Sequence, residues 1–124
     1  MLTWKCLHLY ADALGTSRVD PEYKVTLSEA AFAPPAPCMY VSQASSANAL
    51  AFLELPVGWQ GGWHPSPHEQ WVVCLAGKMG YEAGDGTTFT LKPGSYILTT
   101  DTRGQGHKSW NAGNEPVQLA IIQI

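Results

Sequence analysis

The sequence predicts an all-β, single-domain fold, an antiparallel barrel or sandwich, on three observations. Hardly any window longer than ten residues keeps apolar groups at three- and four-residue spacing without a Pro or Gly intervening. Short runs rich in β-branched and aromatic residues recur along the chain, and between them lie clusters of Gly, Pro, Asn and Asp that suit tight turns. In order, the runs fall at 2–10, 38–43, 49–55, 70–76, 79–82, 87–91, 95–99, 106–110 and 117–124. Residues 11–19 suit a short turn of helix at most. Gly77-Lys78, Gly84-Asp85-Gly86, Pro93-Gly94 and Gly113-Asn114-Glu115-Pro116 supply the turns, so successive strands are expected to pair antiparallel. Ala33-Pro34-Pro35-Ala36-Pro37 cannot join a central strand. It divides residues 1–37, N-terminal strands and a Pro-rich arm within the same domain, from residues 38–124, the barrel proper. The arm is placed to lie across a neighbouring subunit.

A chain of 124 residues accommodates one domain, and at that length roughly two-thirds of the unfolded surface is buried on folding. Formal charge is only −3, and the seven Lys and Arg residues are scattered, so nothing gathers phosphates and nucleic acid is not an expected partner. The apolar runs are far shorter than the roughly 20 residues that cross a bilayer, and the N-terminus lacks the apolar run of a leader, which gives a cytoplasmic expectation with no membrane partner. Cys6, Cys38 and Cys74 are odd in number and widely spaced, which suits reduced thiols serving as small hydrophobes.

The candidate chemistry lies in Gly62-Trp63-His64-Pro65-Ser66-Pro67-His68-Glu69-Gln70, which crowds two imidazoles and an amide ahead of an apolar run, and in His107 further on. On one continuous strand His64 and Gln70 would share a face yet sit about 20 Å apart, too far for one ion. Pro65 and Pro67 resist a central strand, so the chain is expected to turn there and set His64 beside Gln70 on an adjacent strand. Cys74 lies ~13 Å beyond Gln70 and lines the interior instead. On 70–76, Gln70, Val72, Cys74 and Ala76 form one face and Trp71, Val73 and Leu75 the other, both apolar enough to be covered. Tyr40, Phe52, Trp63, Val72, Cys74 and Tyr96 are the candidate lining of an apolar pocket. His8 lies away from every motif and receives no role; Glu54, on an apolar strand, suits a solvated face.

The spacing resembles the two-motif signature of the cupin superfamily, small β-barrels of the jelly-roll kind, over roughly residues 58–111. Gly58, His64, Gln70 and Gly77 occupy the first motif, and Gly86, Pro93-Gly94, His107 and Asn111 the second. The resemblance implies a site of three His and one Glu, whereas here Ser66 stands where the second His would be and Gln70 replaces the Glu. The implied ligand set is therefore His64, Gln70 and His107, with His68 as a further candidate that folds back. Both replacements weaken the set, and the loss of Glu removes the obvious general base. One divalent transition metal is expected as cofactor, since Fe, Mn, Zn, Ni and Cu all accept imidazole. The resemblance implies a small organic substrate, chemistry of oxygenase, isomerase, lyase or cyclase type, and a homodimer in which Trp71 and Val73 are covered. Two other readings stand beside it: a small-molecule-binding or sensor cupin without activity, and a metal-free isomerase that works through histidine, as in sugar epimerases.

Overall fold

The structure, a computed structural model, describes residues 1–124, and every regular element in it is a strand. In chain order these are β1 (Leu2–Ala11), β2 (Ser17–Ala30), β3 (Met39–Ser42), β4 (Ala49–Leu55), β5 (Gln60–His64), β6 (Gln70–Ala76), β7 (Met79–Glu82), β8 (Thr88–Leu91), β9 (Tyr96–Thr99), β10 (His107–Asn111) and β11 (Val117–Gln123). A seven-stranded sheet ordered β3-β2-β1-β9-β6-β11-β4 is accompanied by a four-stranded sheet ordered β5-β10-β7-β8. The all-β, jelly-roll class expected from the sequence is thus the one adopted, although the two sheets do not close into a barrel. No helix is present that is long and apolar enough to cross a membrane.

Alternation explains which faces meet. On β6, Gln70, Val72 and Cys74 are buried while Trp71 and Val73 are only half-buried and Leu75 is exposed. On β11, Val117, Leu119 and Ile121 are buried on the same side. These inner residues join Leu9, Leu55, Met79, Tyr81, Leu91 and Ile97 in one apolar cluster, whose removal from water is the main favourable contribution to folding.

Four expectations are corrected. Residues 11–19 form no helical turn: Asp12 accepts from the backbone amides of Leu14 and Thr16, and Gly15 takes a positive φ of 80°, so the segment is a tight turn into β2. Successive strands pair antiparallel only at β1–β2, β2–β3 and β7–β8. The other connections lead to strands that are not neighbours, and β1 pairs with β9 in parallel. The outer face of β6 is not fully covered, since Leu75 is 50% exposed there. Finally, β2 and β5 were not anticipated. Gly77 turns the chain between the sheets with φ at 78°, and a Cβ there would lie 2.6 Å from the Pro116 carbonyl, so only glycine fits.

Candidate functional site

The cleft between the sheets, about 590 Å³, is lined by β4, β6 and β11 on one side and by β5, β7 and β10 on the other. Cross-strand register arranges its wall in rows. On the large sheet Leu53 and Leu119 align, next Ala51, Ile121 and Val72, and then Gln123, Gln70 and Thr99. The last row is polar. On the small sheet His64 and His107 are register partners of β5 and β10, with Ser109 and Tyr81 paired in the next row. The cleft therefore has one polar end, and beyond it apolar residues are joined by Ser109 and Tyr81.

The two imidazoles lie with ring centroids 4.7 Å apart. His64 Nδ1–H donates to the Gly62 carbonyl at 2.6 Å, and His107 Nδ1–H donates to Asp101 Oδ2 at 2.6 Å. In that tautomer each ring keeps its Nε2 lone pair free. Anchoring one ring nitrogen on a carbonyl or carboxylate is how ligating histidines are oriented. Asp101 is 0% exposed. Its other carboxylate oxygen accepts from Ser66 Oγ–H at 2.7 Å, and its carbonyl accepts from the Ser66 amide at 3.0 Å. Ser66 thus supports the carboxylate that supports His107. Tyr81 lies 5.6 Å from the His107 ring between centroids, and complete burial pushes its phenol well above the ordinary value.

The loop carrying Asp101 is held by the β1–β2 hairpin. Arg103 Nη2 donates to the Asp12 carbonyl at 2.6 Å, Thr100 N donates to the Leu9 carbonyl at 2.7 Å, and the buried Ser17 hydroxyl donates to the Gly106 carbonyl at 2.8 Å. Gly106 has φ at 75°, and a Cβ there would overlap the His64 carbonyl.

Gln70 Oε1 is buried and has no hydrogen-bond partner. An acceptor left so costs about 1–3 kcal/mol, and here it lines the same cleft as the two histidines. The residues present suit a transition-metal ion in type, two imidazoles and an amide oxygen, but supply no anion. Nowhere do three or more His, Cys, Asp or Glu side chains gather into such a group, so an ion here relies on the amide.

The structure brings together His64, Gln70 and His107, with Val72 in the wall and Phe52, 71% exposed, at the rim. His64 and Gln70 line the cleft from different sheets, not from adjacent strands, because the 65–69 connection crosses between sheets. The other candidates lie elsewhere. His68 is exposed on that connection and does not line the cleft. Cys74 is buried in the core, where its thiol contacts the carbonyls of Ala76 and Gly77. Trp63 points outward, with Lys108 Nζ 5.7 Å from its ring. Tyr40 is exposed on β3, and Tyr96 lies on the outer face of the large sheet with Trp4 and Trp71. Alternation along each strand decides these placements. Sequence reasoning missed Asp101, whose only local signal is an acid in a Thr-rich segment six residues before His107. Asn111 is structural: its Nδ2 donates to the carbonyls of Leu55, Pro56 and Glu115. Glu54 is solvated and accepts from Gln118 Nε2 at 3.1 Å.

A family model described as the cupin domain matches residues 51–123. Among solved structures, the chain is similar to the Cnp3 cupin domain of Schizosaccharomyces pombe, with 18% identity over 98% of this chain and 84% of that one and a TM-score of 0.49. It is also similar to a conserved protein of unknown function from Streptococcus pyogenes, at 19% identity over 68% of each chain and a TM-score of 0.48. A Neisseria meningitidis protein is 19% identical over 60% of this chain and 70% of its own, with a TM-score of 0.47. No curated protein matches this chain.

Proposed function

This chain belongs to the cupin family, and from that premise we propose that His64, His107 and Gln70 hold one divalent transition metal at the polar end of a cleft that takes a small organic molecule. The observation that carries this reading is the buried, unpartnered Gln70 Oε1 in the same cleft as two imidazoles whose Nδ1 atoms are already committed. An ion would give that oxygen a partner and use both free Nε2 atoms. When bound, such an ion supplies Lewis acidity toward a carbonyl or hydroxyl in the cleft, which suits oxygenase, isomerase, lyase or cyclase chemistry. The chain's own contribution is orientation. Asp101 fixes the orientation of the His107 ring, Ser66 keeps Asp101 in place, and the apolar residues of β4, β6 and β11 line the body of the bound molecule.

Titration calorimetry with Zn, Mn or Ni tests the reading. Gln70→Leu weakens binding, and Gln70→Glu, which adds the missing anion, tightens it at least about ten-fold. Equal affinity in all three proteins would overturn the role of Gln70.

A second reading is favoured by the Ser66–Asp101–His107 chain of hydrogen bonds. A buried carboxylate that holds the ring by Nδ1 leaves Nε2 free to exchange a proton with a bound molecule without a metal. Turnover that survives chelation but is lost in Asp101→Asn would select it. The proposal includes a homodimer, supported by the half-buried Trp71, Val73 and Tyr96 and the exposed Trp4 on the outer face of the large sheet.

A further inference from the structure

The polar end of the cleft is rich in acceptors and lies against a negative charge that no basic side chain balances. The Gly62 carbonyl and the Asp101 carboxylate can only accept, so Nδ1 of His64 and of His107 carries the proton and each Nε2, in the neutral ring, is an acceptor. Neither Nε2 is hydrogen-bonded within the chain, and Gln70 Oε1, buried in the same cleft, has no partner either. Such atoms are satisfied only by a donor or a cation. Asp101 holds the far nitrogen of His107, is 0% exposed, and has that ring as its one ion-pair partner. Arg103, close by in sequence, donates instead to the carbonyls of Ala11 and Asp12, and no Lys or Arg lines the cleft. With both rings neutral, the carboxylate is uncompensated, and a buried charge calls for one of opposite sign. Beyond the polar end, the large sheet offers Val72, Leu119 and Ile121, and the small sheet Ser109 and Tyr81, whose hydroxyls can donate or accept. The cleft is open beside β4, where Leu53 faces it by register with Leu119 yet is 46% exposed. Its volume of about 590 Å³ is within the usual range for small-molecule sites.

We infer that the metal-free cleft takes an organic primary ammonium. Its N–H groups donate to Gln70 Oε1 and to Nε2 of His64 and His107, and its body lies between Leu119 and Ile121 on one sheet and Ser109 and Tyr81 on the other. A primary ammonium has one N–H for each of these acceptors, and its charge is the one that Asp101 lacks. This rests on the reading of the cleft as a small-molecule site, and it names the ligand class from the atoms of the wall. An ion and an ammonium draw on the same acceptors, so the two compete. A quaternary ammonium brings the charge without the donors, and a carboxylate brings neither.

Three probes of one skeleton test it: 3-phenylpropylamine, its N,N,N-trimethyl analogue and 3-phenylpropanoate. They are titrated into chelator-treated protein, with saturation-transfer NMR and tryptophan fluorescence as readouts, Trp59 being part of the cleft wall. The primary amine is expected to bind at least about ten-fold more tightly than either of the others, the usual worth of hydrogen bonds to a charged group. Gln70→Leu removes an acceptor at similar bulk, and Asp101→Asn removes the charge. Each is expected to weaken the amine by about ten-fold or more with an unchanged circular dichroism spectrum. Zinc bound to the wild type is expected to raise the apparent Kd of the amine. Equal binding of the three probes, binding of none, tighter binding of the acid, an amine affinity indifferent to both substitutions, or bound zinc that leaves it unchanged would overturn the inference. A metal titration without amine separates the two claims. Amine binding in a protein that takes no metal contradicts the metal reading alone, and metal uptake without amine binding contradicts this one alone.

Discussion

Asp101 joins the polar end of the cleft to the rest of the molecule. It is fully buried, holds His107 Nδ1 at 2.6 Å and is itself held by Ser66 at 2.7 Å. Asp101→Asn preserves the shape but weakens the acceptor for the ring N–H, and loss of such a partner typically costs 10–100-fold in metal affinity. Calorimetry should show that loss with an unchanged circular dichroism spectrum; undiminished affinity would assign Asp101 to packing alone. Gly106→Ala must both adopt a left-handed φ and displace the His64 carbonyl. It should lower stability by more than about 1 kcal/mol in urea unfolding. His64, Gln70 and His107 were legible because their spacing fits two motifs. Asp101 and Ser66 were not, because a buried carboxylate is identified by its partners, and these two are 35 residues apart in sequence.

At the level of elements, nine strands were read from local pattern and two were not. β2 alternates Arg18, Asp20, Glu22 and Lys24 with Val19, Tyr23 and Val25, a strand pattern that Pro21 interrupts and that was passed over. The register with β1 shifts between Cys6 and His8, so Pro21 falls at an irregularity where no ladder bond is demanded. β5 contains Gly61 and Gly62 and becomes a strand only by pairing with β10, a contact no local window contains. The β1–β2 hairpin also carries a titratable group. His8 Nε2 lies 2.8 Å from Thr100 Oγ1, and partial burial lowers its pKa from 6.5, against smaller opposing effects of Asp20 and Glu69. Because the folded value is the lower one, the unfolded chain binds the proton first. The contribution to stability is therefore complete above about 6.5 and declines as pH falls toward the folded value. Urea midpoints measured from pH 7.5 to 5 should fall in that window, and His8→Phe should flatten that part of the profile. A midpoint profile identical in the variant would remove His8 from the account.

For the whole molecule, one apolar cluster serves both sheets, and Leu119, 3% exposed, lies on the cleft side of it. Leu119→Ala should cost about 2–5 kcal/mol, toward the lower end because the residue already borders open volume; a loss below 1 kcal/mol in urea unfolding would mean that the cleft wall adds little to folding. The fold class was legible from strand and turn punctuation. The partition into two sheets was not, because alternation identifies faces without saying which faces meet. The proposed dimer predicts a chain of twice 13.4 kDa by light scattering and a monomer for Trp71→Arg; a wild-type monomer would leave the outer aromatic face without that role. The most direct measurement is elemental analysis of untagged protein, purified and then reconstituted, beside His64→Ala and His107→Ala. The account predicts about one equivalent of a divalent transition metal in the wild type and little in either variant, as expected when one of few ligands is removed. Wild-type protein without stoichiometric metal after reconstitution, or variants that retain it, would contradict a metal held at His64, His107 and Gln70.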